Sequence, residues 1–258
     1  TLDIVLSKKI NAEEKEKLIS DLNAEEIFPN VLRRQFDGPI EGLARYSDGV
    51  WWIQDIAAQL PSKILLSSVK PNAYVIDMCA APGGKTAQLL TNGLDVVSIE
   101  SNLNRAQLLK KNLKRLNLKT ELIIQDANKY KPQKLADAVL IDAPCSSTGT
   151  VRKNPDILWR LSAKKNGFLN TLIPLQKSLL HSAAMMIKPK GVLIYSVCSL
   201  EKEEGEDQII DFISKHSNFK ISPINKSEID ITHKAVTKEG FIRTFPYFSE
   251  ELGGIFPG

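Results

Sequence analysis

The chain has 258 residues, a net charge of +4, 43% hydrophobic residues and 25% charged residues, an ordinary composition for a globular protein. It has no apolar run near the roughly 20 residues that a membrane-spanning helix needs, so a membrane protein is not expected. The mild positive charge permits a polyanionic partner without requiring one.

The chain contains three cysteines, and this odd number without close pairs argues against a disulfide framework. Free cysteines are typical of a reducing compartment, and no signal peptide is visible in a sequence that begins at Thr1, so we predict a cytoplasmic protein. No C-x-x-C or H-x-x-x-H pair occurs, and no metal site is predicted.

The first sixty residues predict a small α+β module, residues 1–60, joined to the rest of the chain around Gln54–Leu66. Asn11 is a plausible N-cap for its helix, and the pairs Gly38-Pro39 and Asp48-Gly49 indicate turns. The predicted strand, helix and second strand are, in that order, Leu2–Leu6, Ala12–Leu22 and Val31–Phe36.

From Pro71 onward, short apolar runs alternate with stretches of helical spacing. Such runs predict buried parallel strands, and the alternation predicts a doubly wound, mostly parallel α/β sheet over residues 61–258. The predicted strands are Tyr74–Ile76, Val96–Ile99, Glu121–Ile124, Ala138–Ile141 and Val192–Tyr195. The predicted helices are Lys85–Leu90, Asn104–Leu116 and Asn170–Ile187.

All three cysteines follow predicted strands. Cys79 follows the first strand of the sheet, Cys145 the fourth and Cys198 the fifth. In open α/β sheets, ligands bind in the crevice at the carboxyl ends of the strands. A single free cysteine there is most simply a small buried hydrophobe. Three of three at the ligand edge favour a chemical role for at least one of them.

The loop after the first strand of the sheet favours close approach of a ligand to the backbone. Small residues and a following helix N-terminus give it free N–H groups, although its spacing is neither that of a P-loop nor G-x-G-x-x-G. The loop consists of Cys79, Ala80, Ala81, Pro82, Gly83, Gly84 and Lys85.

Two acids follow the next strands of the sheet. Glu100 ends the second strand, where an acid commonly accepts hydrogen bonds from the ribose hydroxyls of a nucleotide-like cofactor. The alternative is a solvated surface acid. Asp126 follows the third strand and is a candidate acceptor for an exocyclic amine, with a turn-forming aspartate as the alternative.

The last two strands end in thiols. After Asp142-Ala143-Pro144 comes Cys145, where amine methylases usually place an aromatic residue, so chemistry that needs a thiol is favoured. Cys198 precedes Ser199, which fits an N-cap, and a helix predicted from Leu200 onward. We therefore expect a helix N-terminus beside Cys198, which would stabilise a thiolate, while the acids in that first turn oppose this effect.

Three runs together resemble the Sun/Fmu (RsmB) family of RNA cytosine-5 methyltransferases, related to the NOL1/NOP2/Sun proteins. They are "DMCAAPGGKT", "DAPCSSTG" and "YSVCSLEKEE", and the stretch Asp48–Gln59 is also similar. The resemblance implies a Rossmann-like domain that uses S-adenosylmethionine, and an RNA substrate. The pattern is closest to members that act on 16S rRNA; the same chemistry on tRNA, or a non-catalytic RNA-binding assembly factor, stays open.

Roles at matching positions follow from the resemblance. It implies that Cys198 is the nucleophile that adds to carbon 6 of cytosine, that Cys145 helps to release the product, and that Asp142 contacts the base. The loop 79–85, with Glu100, Asp126 and Asp142, would bind or border S-adenosylmethionine. The target cytosine would be unpaired or flipped out of its stack, and we expect a monomer.

The chain also departs from the family pattern. Val197 stands where the family usually has threonine. We further expect that the family's helical RNA-binding domain and last apolar strand are missing from this sequence, which ends at Gly258.

Candidate RNA contacts are basic. The best placed are Arg152 and Lys153, which follow the Cys145 loop, while most of one helix's basic residues are more simply a solvated face. That helix carries Arg105, Lys110, Lys111, Lys114, Arg115 and Lys119, and the N-terminal module offers Lys8, Lys9, Arg33 and Arg34.

Overall fold

The computed structural model describes residues 1–8, 10–35, 37–163, 167–224 and 235–245. Lys9, Phe36 and the end of the chain from residue 246 therefore lie outside the described residues, as do the predictions made for them. Within the described ranges, no helix is both long enough and apolar enough to cross a membrane.

The N-terminal module is a four-stranded antiparallel sheet with one helix. The strand order is β2-β3-β1-β4, and the elements are β1 (Leu2–Leu6), α1 (Ala12–Asp21), β2 (Glu25–Phe28), β3 (Val31–Arg34) and β4 (Trp51–Ile53). Asn11 caps α1 as predicted, since its side chain accepts from Glu14 N and the Glu14 carboxylate accepts from Asn11 N. The sequence reading missed the short strands β2 and β4.

The second part of the chain is a five-stranded sheet in which every pairing is parallel. Its order is β7-β6-β5-β8-β9. The strands are β5 (Tyr74–Met78), β6 (Asp95–Glu100), β7 (Glu121–Ile124), β8 (Ala136–Asp142) and β9 (Ile187–Ser196). All five correspond to predicted strands, so the doubly wound α/β fold is confirmed.

Helices cover both faces of this sheet because its strands alternate their apolar side chains. Val75 and Leu140 pack with Leu65 and Leu89 on one face, while Ile76 and its neighbours pack with α6 and α7 on the other. The helices are α2 (Ile56–Ser68), α3 (Gly84–Thr91), α4 (Leu103–Arg115), α5 (Asp156–Ala163), α6 (Gly167–Ala184) and α7 (Glu206–Lys215). The segment predicted as a joint is α2, and α5 was not predicted.

Two arginines fix the N-terminal module in place. Arg33 forms a buried ion pair with Asp3, whose carboxylate also accepts from the backbone N–H of Ile56 at the start of α2. Arg115, at the end of α4, donates to the carbonyls of Tyr46 and Trp51 at 2.8 and 3.0 Å and lies over both rings. The module boundary predicted at residue 60 falls within α2 and stays a prediction.

The pairing of β8 with β9 contains an irregularity far from the carboxyl edge. Ala136 pairs with Ile187 and Ala138 with Val192, so residues 188–191 stand opposite Asp137 alone. Gly191 closes this bulge. A Cβ there would lie 2.6 Å from Ile187 Cγ1 and 2.9 Å from the Asp137 carbonyl oxygen, which leaves no room for a side chain.

Candidate active site at the carboxyl edge of the sheet

The strand order places a crevice between the ends of β5 and β8. Chain connections leave these two neighbouring strands in opposite directions, which is the arrangement that opens a ligand crevice in an α/β sheet. The loop 79–85 follows β5, Glu100 ends β6, and Asp142 ends β8. The sequence-predicted residues therefore come from neighbouring strand ends along one edge.

Helix α4 holds the loop 79–85. The Arg105 guanidinium donates to the Ala81 carbonyl at 2.7 Å, and the Asn112 amide donates to the Pro82 carbonyl at 2.9 Å. Gly83 has φ 103°, a left-handed conformation that favours glycine, and a Cβ there would lie 3.3 Å from Leu109 Cγ. Helix α3 starts at the next residue, so its first N–H groups lie at the end of the loop.

Glu100 is a buried acid with half of its hydrogen-bonding capacity unused. Oε1 accepts from Asn102 N at 3.0 Å, whereas Oε2 is buried and has no hydrogen-bond partner among the described residues. The nearest cation is Arg105, 3.6 Å from Oε2. A buried carboxylate oxygen without a donor is costly, so this atom suits a ligand hydroxyl. The alternative of a solvated surface acid is wrong.

Asp77, which the sequence reading passed over, lies fully buried beneath the loop. Burial raises the pKa of Asp77 to about 7, and the hydrogen bond from Thr86 opposes the shift. Thr86 Oγ1 donates to Asp77 Oδ2 at 2.6 Å, and Oδ1 has no partner among the described residues. The available signal was a single acid within the apolar run Tyr74–Met78.

Asp142 is held from two sides. The Lys85 ammonium donates to Oδ2 at 2.7 Å, and the Ser196 hydroxyl donates to Oδ1 at 3.2 Å. Lys85 comes from α3 and Ser196 from the end of β9. Asp142 thus connects the loop 79–85 to the strand that leads into Cys198, and its carboxylate keeps part of its surface exposed.

The structure brings Cys145 and Cys198 together, with their sulfurs 3.4 Å apart. The hydrogen bond between them lowers the pKa of Cys198 to about 7, against the opposing effect of burial, and raises the pKa of Cys145. Of the two thiols, Cys198 is therefore the one that loses its proton more readily. Burial raises the pKa of Cys79 to about 12, which keeps that thiol protonated.

A buried acid positions the loop that carries Cys145. The Glu204 carboxylate accepts from Ser146 N at 2.9 Å, from the Ser146 hydroxyl at 2.5 Å and from the Gln176 amide at 3.0 Å. The side chain of Glu204 is fully buried, and its backbone carbonyl accepts from Tyr195. This network joins the loop after β8 to the segment after Cys198 and to α6.

The helix predicted directly after Cys198 is wrong. A short 3-10 turn covers Lys202–Glu204, and α7 begins only at Glu206 with Gly205 before it. Ser199 does not cap a helix. Its hydroxyl accepts from Glu201 N at 3.0 Å, and the Leu200 N–H donates to Thr148 Oγ1. The low pKa of Cys198 therefore has other causes than a helix dipole.

Asp126 and several of the candidate basic residues make contacts within the protein. Asp126 is exposed, and its carboxylate accepts from Asn128 N to form a turn, which was the alternative reading. Arg33 is buried against Asp3, Arg34 pairs with Asp37, and Arg115 is occupied by the N-terminal module. The side chain of Lys153 pairs with Asp55, while Arg152 is exposed.

No group of three or more His, Cys, Asp or Glu side chains within the described ranges is arranged to hold a metal ion.

Solved structures share this fold along most of the chain. The structure of PH0851 is 31% identical with a TM-score of 0.84, covering 96% of this chain and 57% of that one. NSun6 from Pyrococcus horikoshii, solved with the S-adenosylmethionine analogue SFG, is 28% identical with a TM-score of 0.66, covering 81% and 53%. The sheet and its edge are those of a Rossmann-like, S-adenosylmethionine-dependent methyltransferase.

Sequence comparisons assign the chain to one family within this class of methyltransferases. The family model for 16S rRNA methyltransferase RsmB/F matches residues 64–256. The chain is 33% identical over 224 residues to a probable ribosomal RNA small subunit methyltransferase B from Synechocystis, covering 84% of this chain and 49% of that protein. The corresponding enzyme of Shewanella oneidensis is 34% identical over 187 residues, covering 70% and 42%. The chain belongs to the RsmB/F family.

S-adenosylmethionine is the cofactor of this family, as the sequence predicted. The chain spans about half the length of the curated relatives it matches.

Proposed function

We propose that this protein methylates carbon 5 of a cytosine in RNA, with 16S rRNA as the preferred substrate and Cys198 as the nucleophile. The observation that carries the proposal is the pair of sulfurs 3.4 Å apart with opposite pKa shifts. A thiolate beside a protonated thiol is suited to an attack followed by a proton transfer. Membership of the RsmB/F family supports RNA as the substrate.

The cofactor would lie against the loop 79–85. The buried oxygen of Glu100 without a donor fits a ribose hydroxyl, and the first N–H groups of α3 fit a polar group of the ligand. We keep Asp126 as a candidate contact for the adenine amine, since it stands at the neighbouring strand end. When bound, S-adenosylmethionine supplies the methyl group.

Carbon 5 of cytosine is a poor nucleophile until carbon 6 is attacked. The Cys198 thiolate adds to carbon 6, the electron pair of the carbon 5–carbon 6 double bond shifts to the carbon 4–carbon 5 bond with negative charge on N3, and carbon 5 becomes enamine-like and nucleophilic. Asp142, oriented by Lys85 and Ser196, would contact the polar edge of the base while this charge develops. The base must be out of its stack, because neither carbon is accessible within one.

Release requires loss of the carbon 5 proton, and the sulfur pair offers a base for it. In the free protein the hydrogen bond to Cys198 and burial raise the pKa of Cys145, so this thiol keeps its proton. Once the Cys198 sulfur is bonded to carbon, it no longer raises the pKa of Cys145, so the Cys145 thiol can lose its proton to solvent. Cys145 would then take the carbon 5 proton as the Cys198–carbon 6 bond breaks and the ring double bond forms again.

The exposed Arg152 follows the Cys145 loop and is a candidate phosphate contact. The N-terminal module would extend the RNA surface, although its candidate residues Arg33 and Arg34 form ion pairs within the module.

The first prediction separates the roles of the cysteines. Cys145→Ala is expected to methylate but to stall before release, so that a protein–RNA adduct accumulates as a slow band on a denaturing gel. Cys198→Ala should neither methylate nor form the adduct, and adding it to Cys145→Ala should erase the band. Ser214→Ala, on the exposed face of α7, is the control and should release its product, because Ser214 lies outside the loop 79–85 and the cysteine loops.

The reverse pattern, with an adduct in Cys198→Ala, would move the nucleophile to Cys145. Substrates of 16S rRNA and tRNA offered in parallel decide between the two RNA classes. A chain that binds RNA without any methyl transfer would support a non-catalytic assembly factor instead.

A further inference from the structure

The loop after Cys145 contains three consecutive hydroxyl residues that point to different partners. Ser146 Oγ lies 3.0 Å from Ser199 Oγ and also donates to Glu204. Thr148 Oγ1 lies 3.2 Å from Ser199 Oγ and accepts from Leu200 N. These two side chains hold the segment that follows Cys198. The hydroxyl of Ser147, which lies between them in the sequence, has different neighbours.

Ser147 presents its hydroxyl to the sulfur pair. Its Oγ lies 3.4 Å from Cys198 Sγ and 4.0 Å from Cys145 Sγ. Distances of this size to sulfur allow a hydrogen bond, because sulfur is larger than oxygen. In the structure the Cys198 thiol donates to Ser147 Oγ. A thiolate has only lone pairs to offer, so once Cys198 has lost its proton the bond must reverse and the Ser147 hydroxyl becomes the donor.

The backbone of Ser147 is strained to reach this place. Its φ of 61° is left-handed, a region that residues with a Cβ rarely adopt. The turn over Thr148–Thr150 maintains this conformation, since Thr150 N and Thr150 Oγ1 both donate to the Ser147 carbonyl at 2.9 and 3.0 Å. Backbone strain of this kind concentrates at functional sites. The side chain itself is not needed to form that turn.

We propose that the Ser147 hydroxyl donates a hydrogen bond to the Cys198 thiolate and so helps to keep Cys198 in the form that attacks the base. The inference deepens the proposed function and rests on it. Ser147 is then a catalytic residue, because it touches the reacting sulfur.

The charges around Cys198 explain why such a donor is useful. Burial raises the pKa of Cys198, and the carboxylate of Asp142 acts in the same direction. The thiol of Cys145, the hydroxyl of Ser147 and the ammonium of Lys85 act in the opposite direction. Lys85 is itself paired with Asp142, so much of its charge is compensated, and the helix that follows Cys198 begins only at Glu206. The two neutral donors carry the stabilisation.

The test is the reactivity of Cys198 towards iodoacetamide as a function of pH, followed peptide by peptide by mass spectrometry, without RNA or cofactor. Only the thiolate is alkylated, so the midpoint of the rate reports its pKa. Ser147→Ala removes the hydroxyl and keeps the strain, whereas Ser147→Gly removes both. Ser214→Ala, on the exposed face of α7, is the matched control.

We expect both Ser147 variants to raise the Cys198 midpoint by about one pH unit, the size that one hydrogen bond to a charged group gives. Ser214→Ala should leave it unchanged. The acid limb of the methyl-transfer rate should move by the same amount.

An unchanged midpoint in both variants, or a shift in Ser147→Gly alone, would overturn the proposal, because the effect would then be absent or due to the backbone. If the lower midpoint in the wild type belongs to Cys145, the assignment of the nucleophile fails instead, and the two failures are distinguishable.

Discussion

Glu100 offers the most direct test of the cofactor site. Its Oε2 is buried without a donor, while Oε1 is already bonded to Asn102. Glu100→Gln should keep the bond to Asn102 but present an amide to the ligand, and Glu100→Ala removes both oxygens. Each should weaken S-adenosylmethionine binding by roughly 1.5–3 kcal/mol in calorimetry, the range for a hydrogen bond to a charged group. Glu121→Gln, exposed at the start of β7, is the control, and equal affinities would remove Glu100 from the site.

Asp77 should make the stability of the protein depend on pH. The unfolded chain releases this proton near the ordinary pKa of 3.8, whereas the folded chain holds it until about pH 7. Between these values the folded state binds more protons than the unfolded state, so stability is highest at the acid end and falls as pH rises.

The expected contribution of Asp77 is a decline of up to about 1.4 kcal/mol per pH unit in the free energy of unfolding, ending above about pH 7. Asp77→Asn retains an oxygen for Thr86 and should remove this contribution. Urea unfolding of the ligand-free protein over this pH range measures it. Asp95→Asn, at the exposed start of β6, should retain the decline; identical pH profiles for wild type and Asp77→Asn would contradict the burial argument.

Among the elements, the segment between Cys198 and α7 depends on Glu204. The groups around its carboxylate are donors: Ser146 N–H, the Ser146 hydroxyl and the Gln176 amide. Glu204→Gln would turn an NH₂ group towards at least one of these donors. We expect a loss of about 2 kcal/mol or more in the free energy of unfolding, since a buried donor is left unpaired, and slower release of the methylated product.

Glu203→Gln is the matched control, because the neighbouring Glu203 is exposed. Equal stability and equal release rates in the two variants would show that Glu204 does not position the Cys145 loop.

The sequence predicted the elements that have a clear pattern of apolar residues and missed those that do not. The five strands of the parallel sheet are buried on both faces and read as apolar runs. The edge strand β2 starts with Glu25 and Glu26, and β4 has three residues, so neither gives a clear pattern. The helix start expected at Leu200 failed because Thr148, about fifty residues away in the sequence, accepts from the Leu200 N–H.

Some residues of the candidate site could likewise be predicted from the sequence, and others could not. Residues that follow strands, such as Cys145, Cys198 and Glu100, could be found from the order of elements alone. Glu204, Gln176 and Ser147 could not, because their importance comes from contacts made across the fold. From the sequence alone, Glu204 is one acid in an acid-rich stretch and is expected to be exposed to solvent. Its burial results from contacts made in the folded protein.

At the scale of the whole molecule, Arg115 joins the two sheets. It donates to carbonyls of Tyr46 and Trp51 and lies 4.2 Å from the centre of the Tyr46 ring. Arg115→Ala would leave these contacts unmade, and we expect it to lower the free energy of unfolding by about 2–4 kcal/mol, from two charge-assisted hydrogen bonds and the ring contacts. Lys114→Ala, on the exposed side of the same helix turn, should change it little. Equal losses, followed by urea unfolding, would show that the two parts are held together elsewhere.

The bulge at Gly191, at the far end of the sheet from the two cysteines, affects how those cysteines are placed. The two sulfurs belong to loops that leave neighbouring strands, so their separation is inherited from the alignment of β8 with β9. That alignment is set where residues 188–191, seven to ten residues before Cys198, stand opposite Asp137, and at Gly191 there is no room for a side chain. A substitution at Gly191 is therefore expected to change the separation of the two sulfurs although it replaces neither cysteine. Residues that determine the geometry of this site are to be sought along the strand as well as at its end.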